Sequence, residues 1–110
     1  MPLIARQIST FSEKEVTRLF KKAKRVFKAH TMDILCAPAK HDFGRILVIT
    51  SGKIGKAHKR NLIRRRLKSI FYEEKLYKNR LDCIVIVKKE GLNLDFKQLK
   101  EILYGATHQD

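Results

Sequence analysis

An α+β fold, a two-layer sandwich on one small mixed sheet with the element order α-β-β-α-β-α, is what this 110-residue sequence predicts. Three features carry the prediction. A capped amphipathic segment begins at Ser12, a basic segment of helical period fills the middle of the chain, and a wholly apolar run over 83–87 reads as a strand covered on both faces. Hydrophobic residues make up 44% and charged residues 33%, enough apolar material for one core and too much for a disordered chain. At this length one domain, 1–110, is expected.

Residues 12 to about 28 form the first expected helix. Ser12 and Glu15 make an S-x-x-E capping box, and Phe11 and Val16 occupy the staple positions around it. Val16, Leu19, Phe20, Ala23 and Phe27 recur at helical spacing, with Lys14, Arg18, Lys21, Arg25 and Lys28 on the other side. Two short apolar or β-branched runs, 32–37 and 45–50, are joined by 38–44, which reads as a hairpin or longer turn. Residues 51–56 form a glycine-bearing basic loop, and a second helix is expected from about 58 to 78. Its apolar face is Ile63, Leu67, Ile70 and Phe71, while Asn61, Arg64, Arg65, Lys68 and Tyr72 fall at i, i+3, i+4, i+7 and i+11. After the central strand, Gly91 closes the unit. Asp95 with Gln98 gives another box-like start, Leu94 and Leu99 staple it, and Phe96, Leu99 and Leu103 line a last short helix before Gly105.

The formal net charge is +14, and it is not evenly spread. Residues 1–30 carry +6 and residues 52–68 carry +8, while 31–51 and 69–110 each balance to zero. Two local blocks imply two surfaces that meet phosphate. Solvated charged helices normally alternate sign to gain i,i+4 pairs. No carboxylate occurs between Gly52 and Lys68, so that segment is built to meet a polyanion. Guanidinium forks match phosphate oxygens, asparagine adds hydrogen bonds to sugar or base edges, and loop glycines let backbone N–H groups come close to a phosphate.

Several other functions lose support. No stretch approaches the roughly 18 apolar residues of a membrane span, and residues 1–11 hold no continuous signal segment, so a cytoplasmic protein with no membrane partner is expected. Cys36 and Cys83 each lie inside an apolar run and read as reduced core thiols. The run from Gly52 to Lys56 lacks the G-x-x-x-x-G-K-[ST] spacing of a phosphate loop. His30, His41, His58 and His108 share no ligand spacing, Asp33, Asp42 and Asp82 are scattered, and no small-molecule substrate, bound cofactor or protein-borne catalytic residue is expected. Ribosomal or assembly proteins that bind structured RNA without reaction stay open on composition, as do a protein-borne nuclease and, less favoured, a DNA-binding protein.

The segment 45–68, with Ser51, Lys53, Ile54, Gly55, Ala57, Arg60, Asn61, Ile63, Arg64, Arg65 and Lys68, resembles the signature of the bacterial ribonuclease P protein subunit. Asp82, the apolar strand and the pair Lys88 and Lys89 extend the similarity over nearly the whole chain. The resemblance implies a ribosomal-protein-S5-like fold with a left-handed β-α-β crossover, against the usual right-handed rule. It implies a protein cofactor of a catalytic RNA that, with Mg²⁺, removes the 5′ leader of precursor tRNA. On the same footing Lys53, Lys56, Lys59, Arg60, Asn61, Arg64, Arg65 and Lys68 would face the catalytic RNA. Val16, Phe20, Ile34, Arg45, Lys88 and Lys89 would line a cleft for the single-stranded leader. Leu62 stands where the family usually has the second arginine of an Arg-Asn-Arg triplet, Gly52 where lysine is common, and Leu47 where glycine is common. Val16 and Ile34 replace residues that are often aromatic.

Overall fold

Ser12 opens the first helix, α1 (Glu13–Lys22), by the box the sequence announces. Its hydroxyl accepts the Glu15 N–H at 3.2 Å, and the Glu15 carboxylate accepts the Ser12 N–H at 3.1 Å. The computed structural model describes residues 7–108; residues 1–6, part of the segment read as carrying no signal sequence, lie outside them. Helix α1 stops at Lys22, six residues short of the expected end, because Ala23 is extended at φ −69° and ψ 139°. The chain then runs straight into strand β1 (Lys24–Lys28), so Phe27 belongs to a strand and not to the helical stripe.

Strands β2 (Met32–Pro38), β3 (Ile46–Thr50) and β4 (Leu81–Val87) complete a mixed sheet in the order β1-β2-β4-β3. The expected hairpin between 32–37 and 45–50 is not formed. β4 lies between the two runs, antiparallel to β2 and parallel to β3, with Cys36 opposite Cys83 and Ile46 opposite Cys83 on the other side. Four consecutive residues of β4, Asp82 to Val85, are buried, as befits an interior strand.

The parallel pair is joined through α2 (Ala57–Glu73). This helix ends before the expected 78, since Lys75 takes a left-handed conformation (φ 54°) and a 3₁₀ turn, Leu76–Asn79, leads to Arg80, also left-handed at φ 56°. Helix α3 (Phe96–Thr107) starts on the Asp95–Gln98 box and passes through Gly105, whose missing side chain leaves open surface.

The main core lies between one sheet face and helices α2 and α3. Met32, Ile34, Cys36, Ile46, Val85 and Val87 pack there with Ile63, Leu67, Ile70 and Phe71 of α2 and Leu99 and Leu103 of α3. Cys36 and Cys83 are both free thiols, buried with their sulfurs 3.4 Å apart. On the opposite face a smaller cluster forms where Leu19 of α1 sits on Ala37 and Ile84. Helix α1 covers only part of that face, and Leu35, Leu47, Ile49 and Ile86 beside it are half-buried.

Candidate nucleic-acid interface

Every basic residue from Lys53 to Lys68 is free of ion pairs among the described residues; the carboxylates that do pair serve Arg25, His41, Arg45, Lys88 and Lys100. The loop before α2 is shaped by its own short bonds. Ser51 Oγ accepts the Lys53 N–H at 3.2 Å, and Arg60 Nε donates to the Gly55 carbonyl at 3.1 Å, fastening the loop to the first turn of the helix. Lys56 stands at the N-cap with no side-chain cap bond, and the first turn holds no acidic residue. Positive residues thus stand at the positive end of the helix dipole with no acid to offset them, an arrangement that an anion relieves.

Lys53, Lys56, Lys59, Asn61 and Arg65 are exposed, and Arg60, Arg64 and Lys68 are half-buried. Arg64 Nη1 donates to Asn61 Oδ1 at 3.4 Å, one turn apart, so the two side chains share one face. Lys89 joins this region: with Gly55, Lys56, His58 and Lys59 it lines a shallow depression of about 300 Å³ beside Leu92.

The second candidate surface is the groove beside α1. Leu19 is 6% exposed and plugs the sheet, whereas Phe20, one residue and about 100° further round, is 41% exposed. Val16 is half-buried on the same flank as Phe20. The aromatic ring is therefore available to a partner instead of being spent on the core.

Two residues assigned to this cleft have other places. Ile34 is fully buried in the main core on the opposite face, because side chains alternate along β2 and Asp33, Leu35 and Ala37 take the α1 side. Arg45 is 5% exposed and turned inward. Its Nη1 meets Glu15 Oε2 at 2.6 Å and donates to the Thr10 carbonyl at 3.0 Å, its Nη2 lies 3.6 Å from Asp82 Oδ2, and its guanidinium carbon sits 4.2 Å over the Phe11 ring. Lys88 closes the far end of the groove, donating to Asp33 Oδ1 at 3.0 Å and to the Ala29 carbonyl at 2.7 Å. Burial works to raise the Asp33 carboxyl, but Lys88 and then Arg25 outweigh it and hold the group below its ordinary range.

The residues missed in the sequence are Leu35, Leu47, Ile49 and Ile86, the apolar floor of the groove. Asp33 carried the signal: one acid in an otherwise apolar run marks the odd positions of β2 as the more open side. Among the described residues no three His, Cys, Asp or Glu side chains are grouped to hold a metal ion.

An α+β protein with an open cationic helix on one side of its sheet and an apolar groove flanked by an exposed aromatic on the other presents the two kinds of surface that small RNA-binding proteins use. Comparison with known proteins narrows the class. The family model described as Ribonuclease P matches residues 5–109. The ribonuclease P protein component of Petrotoga mobilis is 35% identical over 94 residues, covering 80% of each chain. That of Onion yellows phytoplasma is 32% identical over 89 residues, 80% of this chain and 63% of that one, so the chain spans under two thirds of this relative's length. Among solved structures, the RNase P protein of Staphylococcus aureus superposes with a TM-score of 0.75 at 22% identity, covering 90% of this chain and 91% of that one. The RNase P protein from Thermotoga maritima gives 0.75 at 21% identity, covering 93% and 97%. The chain belongs to the ribonuclease P protein family. The solved neighbours share its mixed α+β fold.

Proposed function

We propose that this chain is the protein subunit of a cytoplasmic ribonuclease P, acting as one RNA-binding domain that holds precursor tRNA against a catalytic RNA while the 5′ leader is removed. The observation that supports it best is the run of eight cations between residues 52 and 68, unpaired among the described residues and backed by an uncapped helix start. In this reading Lys53, Lys56, Lys59, Arg60, Asn61, Arg64, Arg65 and Lys68 dock the catalytic RNA. The leader lies in the groove, over Leu35 and Ile86, with Phe20 offering a ring for base stacking and Val16 beside it. Lys89 bridges the two surfaces, and Arg45 and Lys88 keep the groove in shape from within.

The reaction is phosphodiester hydrolysis, for which the RNA and its Mg²⁺ supply the chemistry. The protein's part is electrostatic: its cations neutralise phosphates where two polyanions must approach, which lowers the Mg²⁺ the complex needs. The test is reconstitution. Adding the chain to the catalytic RNA and precursor tRNA at low Mg²⁺ is expected to yield tRNA shortened at its 5′ end, while the chain alone cuts nothing. Cleavage by the RNA that is indifferent to the chain overturns the proposal.

A further inference from the structure

Cys36 and Cys83 stand directly opposite each other on the antiparallel strands β2 and β4, with their sulfurs 3.4 Å apart. Directly opposed residues have Cβ atoms about 4.5–5.5 Å apart, close to the roughly 3.5–4.5 Å that a disulfide spans, so the pair is within reach of a bond. They are the chain's two cysteines, and no third thiol competes. The two are not equivalent. Cys83 is fully buried in the interior strand, whereas Cys36 keeps 7% of its surface exposed. Strand β1 begins at Lys24, opposite Cys36, so beyond that residue β2 has no β1 partner. The Cys83 thiol, donating to the Cys36 sulfur, holds Cys36 below its ordinary range against the effect of burial. The same contact, and then its own burial, push Cys83 up. Cys36 is therefore the sulfur that meets an oxidant, and Cys83 is placed to attack it from behind.

We propose that Cys36 and Cys83 are a redox-active dithiol, which hydrogen peroxide converts to an intrachain disulfide that locks β2 to β4. The Cys36 thiolate attacks one peroxide oxygen and the O–O bond breaks. The hydroxide leaves as water with the proton the thiol gave up, and Cys36 is left as a sulfenic acid. The Cys83 sulfur then attacks the Cys36 sulfur; the S–S bond forms, the S–O bond breaks, and the departing hydroxide takes the Cys83 proton as a second water. Two thiols lose two electrons and two protons, and one peroxide is reduced to two waters. Disulfides that form inside cells are mostly transient ones that sense or transfer oxidation, and a buried pair with one sulfur at the surface suits that use. The link joins residues 47 positions apart and encloses β3, the basic loop and α2. Closing so long a loop takes freedom from the unfolded chain, so the oxidised form resists heat better than the reduced one. The segment that carries residues 52–68 is thereby held in its fold when peroxide is present.

The test treats the full chain, folded and reduced, with hydrogen peroxide and then alkylates any remaining thiol under denaturing conditions. Mass spectrometry is expected to find a chain lighter by two hydrogens and free of alkylated cysteine. Tryptic peptides 29–40 and 81–88 are expected to be linked, and dithiothreitol to separate them. The linked chain is expected to melt about 10 °C above the reduced one. Cys83→Ala, which lacks the second sulfur, should stop at a Cys36 sulfenic acid that dimedone traps, and Cys36→Ala should leave Cys83 unreacted. Two alkylated cysteines after peroxide, links only between chains, or a Cys36 sulfinic acid in an unlinked chain overturn the proposal. Those outcomes are read on the unaltered protein, so they count whether or not the variants fold. A linked chain that melts with the reduced one overturns the lock. None of these readouts involves RNA, so failure of the reconstitution leaves this pair standing and the reverse holds too.

Discussion

Arg45 and Glu15 meet at 2.6 Å across the joint between α1 and the sheet, an ion pair that ties the first turn of the helix to the residue preceding β3. The Ser12 N–H, then the Arg45 hydrogen bond, hold the Glu15 carboxyl down at about 2 against an ordinary 4.5. A carboxyl depressed on folding contributes stability above its unfolded value of 4.5 and loses it as pH falls toward 2. Urea unfolding between pH 5 and pH 2 is therefore expected to show stability falling with pH, with Asp33 adding in the same direction. Glu15→Gln is expected to be about 1–2 kcal/mol less stable at pH 7 and to show a shallower decline over that window. An unchanged decline would remove Glu15 from the account.

Removing the guanidinium itself is costlier. Arg45→Met leaves Asp82, 4% exposed, with the residue 45 backbone N–H but no cation beside it, and an uncompensated buried charge costs about 3–5 kcal/mol. Asp82→Asn paired with Arg45→Met should recover part of that loss in the same unfolding measurement.

Among the described residues the cations of α2 and of the loop before it stand outside any such network of ion pairs. Arg65→Ala and Lys53→Ala are each expected to leave unfolding free energy within about 0.5 kcal/mol, since both side chains are exposed and unpaired. Each should weaken binding to the catalytic RNA and flatten the plot of log affinity against log salt by roughly 0.7–0.9. If about six phosphates are met in all, the unaltered slope is near −4 to −5. A slope near zero rules out phosphate neutralisation.

Neighbouring residues of α1 are expected to separate folding from binding. Leu19→Ala empties a buried position and should cost about 2–5 kcal/mol of stability. Phe20→Ala should cost little stability, because the ring is 41% exposed, yet weaken precursor tRNA by about 1–3 kcal/mol if one base stacks there. Mature tRNA, which has no leader, should bind both Phe20 forms alike; an equal loss for both RNAs would place the ring elsewhere than on the leader.

Local chemistry was legible in the sequence, and non-local pairing was not. The boxes at Ser12 and Asp95 and the buried face of α2 sit where residue spacing puts them, since each is decided within one or two helical turns. Strand β1 was hidden because Arg25 and Lys28 continue the basic stripe of α1, and five residues are too few to separate a period of 2 from one of 3.6. Its ladder also slips between Arg25 and Phe27, which blurs the alternation further. The partner of β3 could not be read from its own residues, because β4 reaches it only after α2 has crossed. Parity decided the groove: with apolar residues on both sides of β2, Ile34 and Leu35 look alike until one face is known to hold the larger core.

Glycines separate close backbone approach from mere tolerance, and they provide the last test. A Cβ at Gly44 would stand 2.2 Å from the Leu81 carbonyl oxygen, where the chain entering β3 passes the start of β4. Neither backbone can withdraw without breaking the Gly44 N–H bond to the Tyr77 carbonyl at 2.7 Å. Gly44→Ala is therefore expected to be strongly destabilising, at or beyond the roughly 3 kcal/mol upper end of ordinary substitutions. Gly105 lies inside α3 on its exposed side with no atom within 4 Å of an added Cβ. Gly105→Ala should raise stability by about 0.5–1 kcal/mol, because alanine loses less backbone entropy on entering a helix. Thermal unfolding of the two variants beside the unaltered chain checks both signs at once. Similar melting temperatures for the two variants would mean that the passage of residue 44 against Leu81 is looser than the packing described.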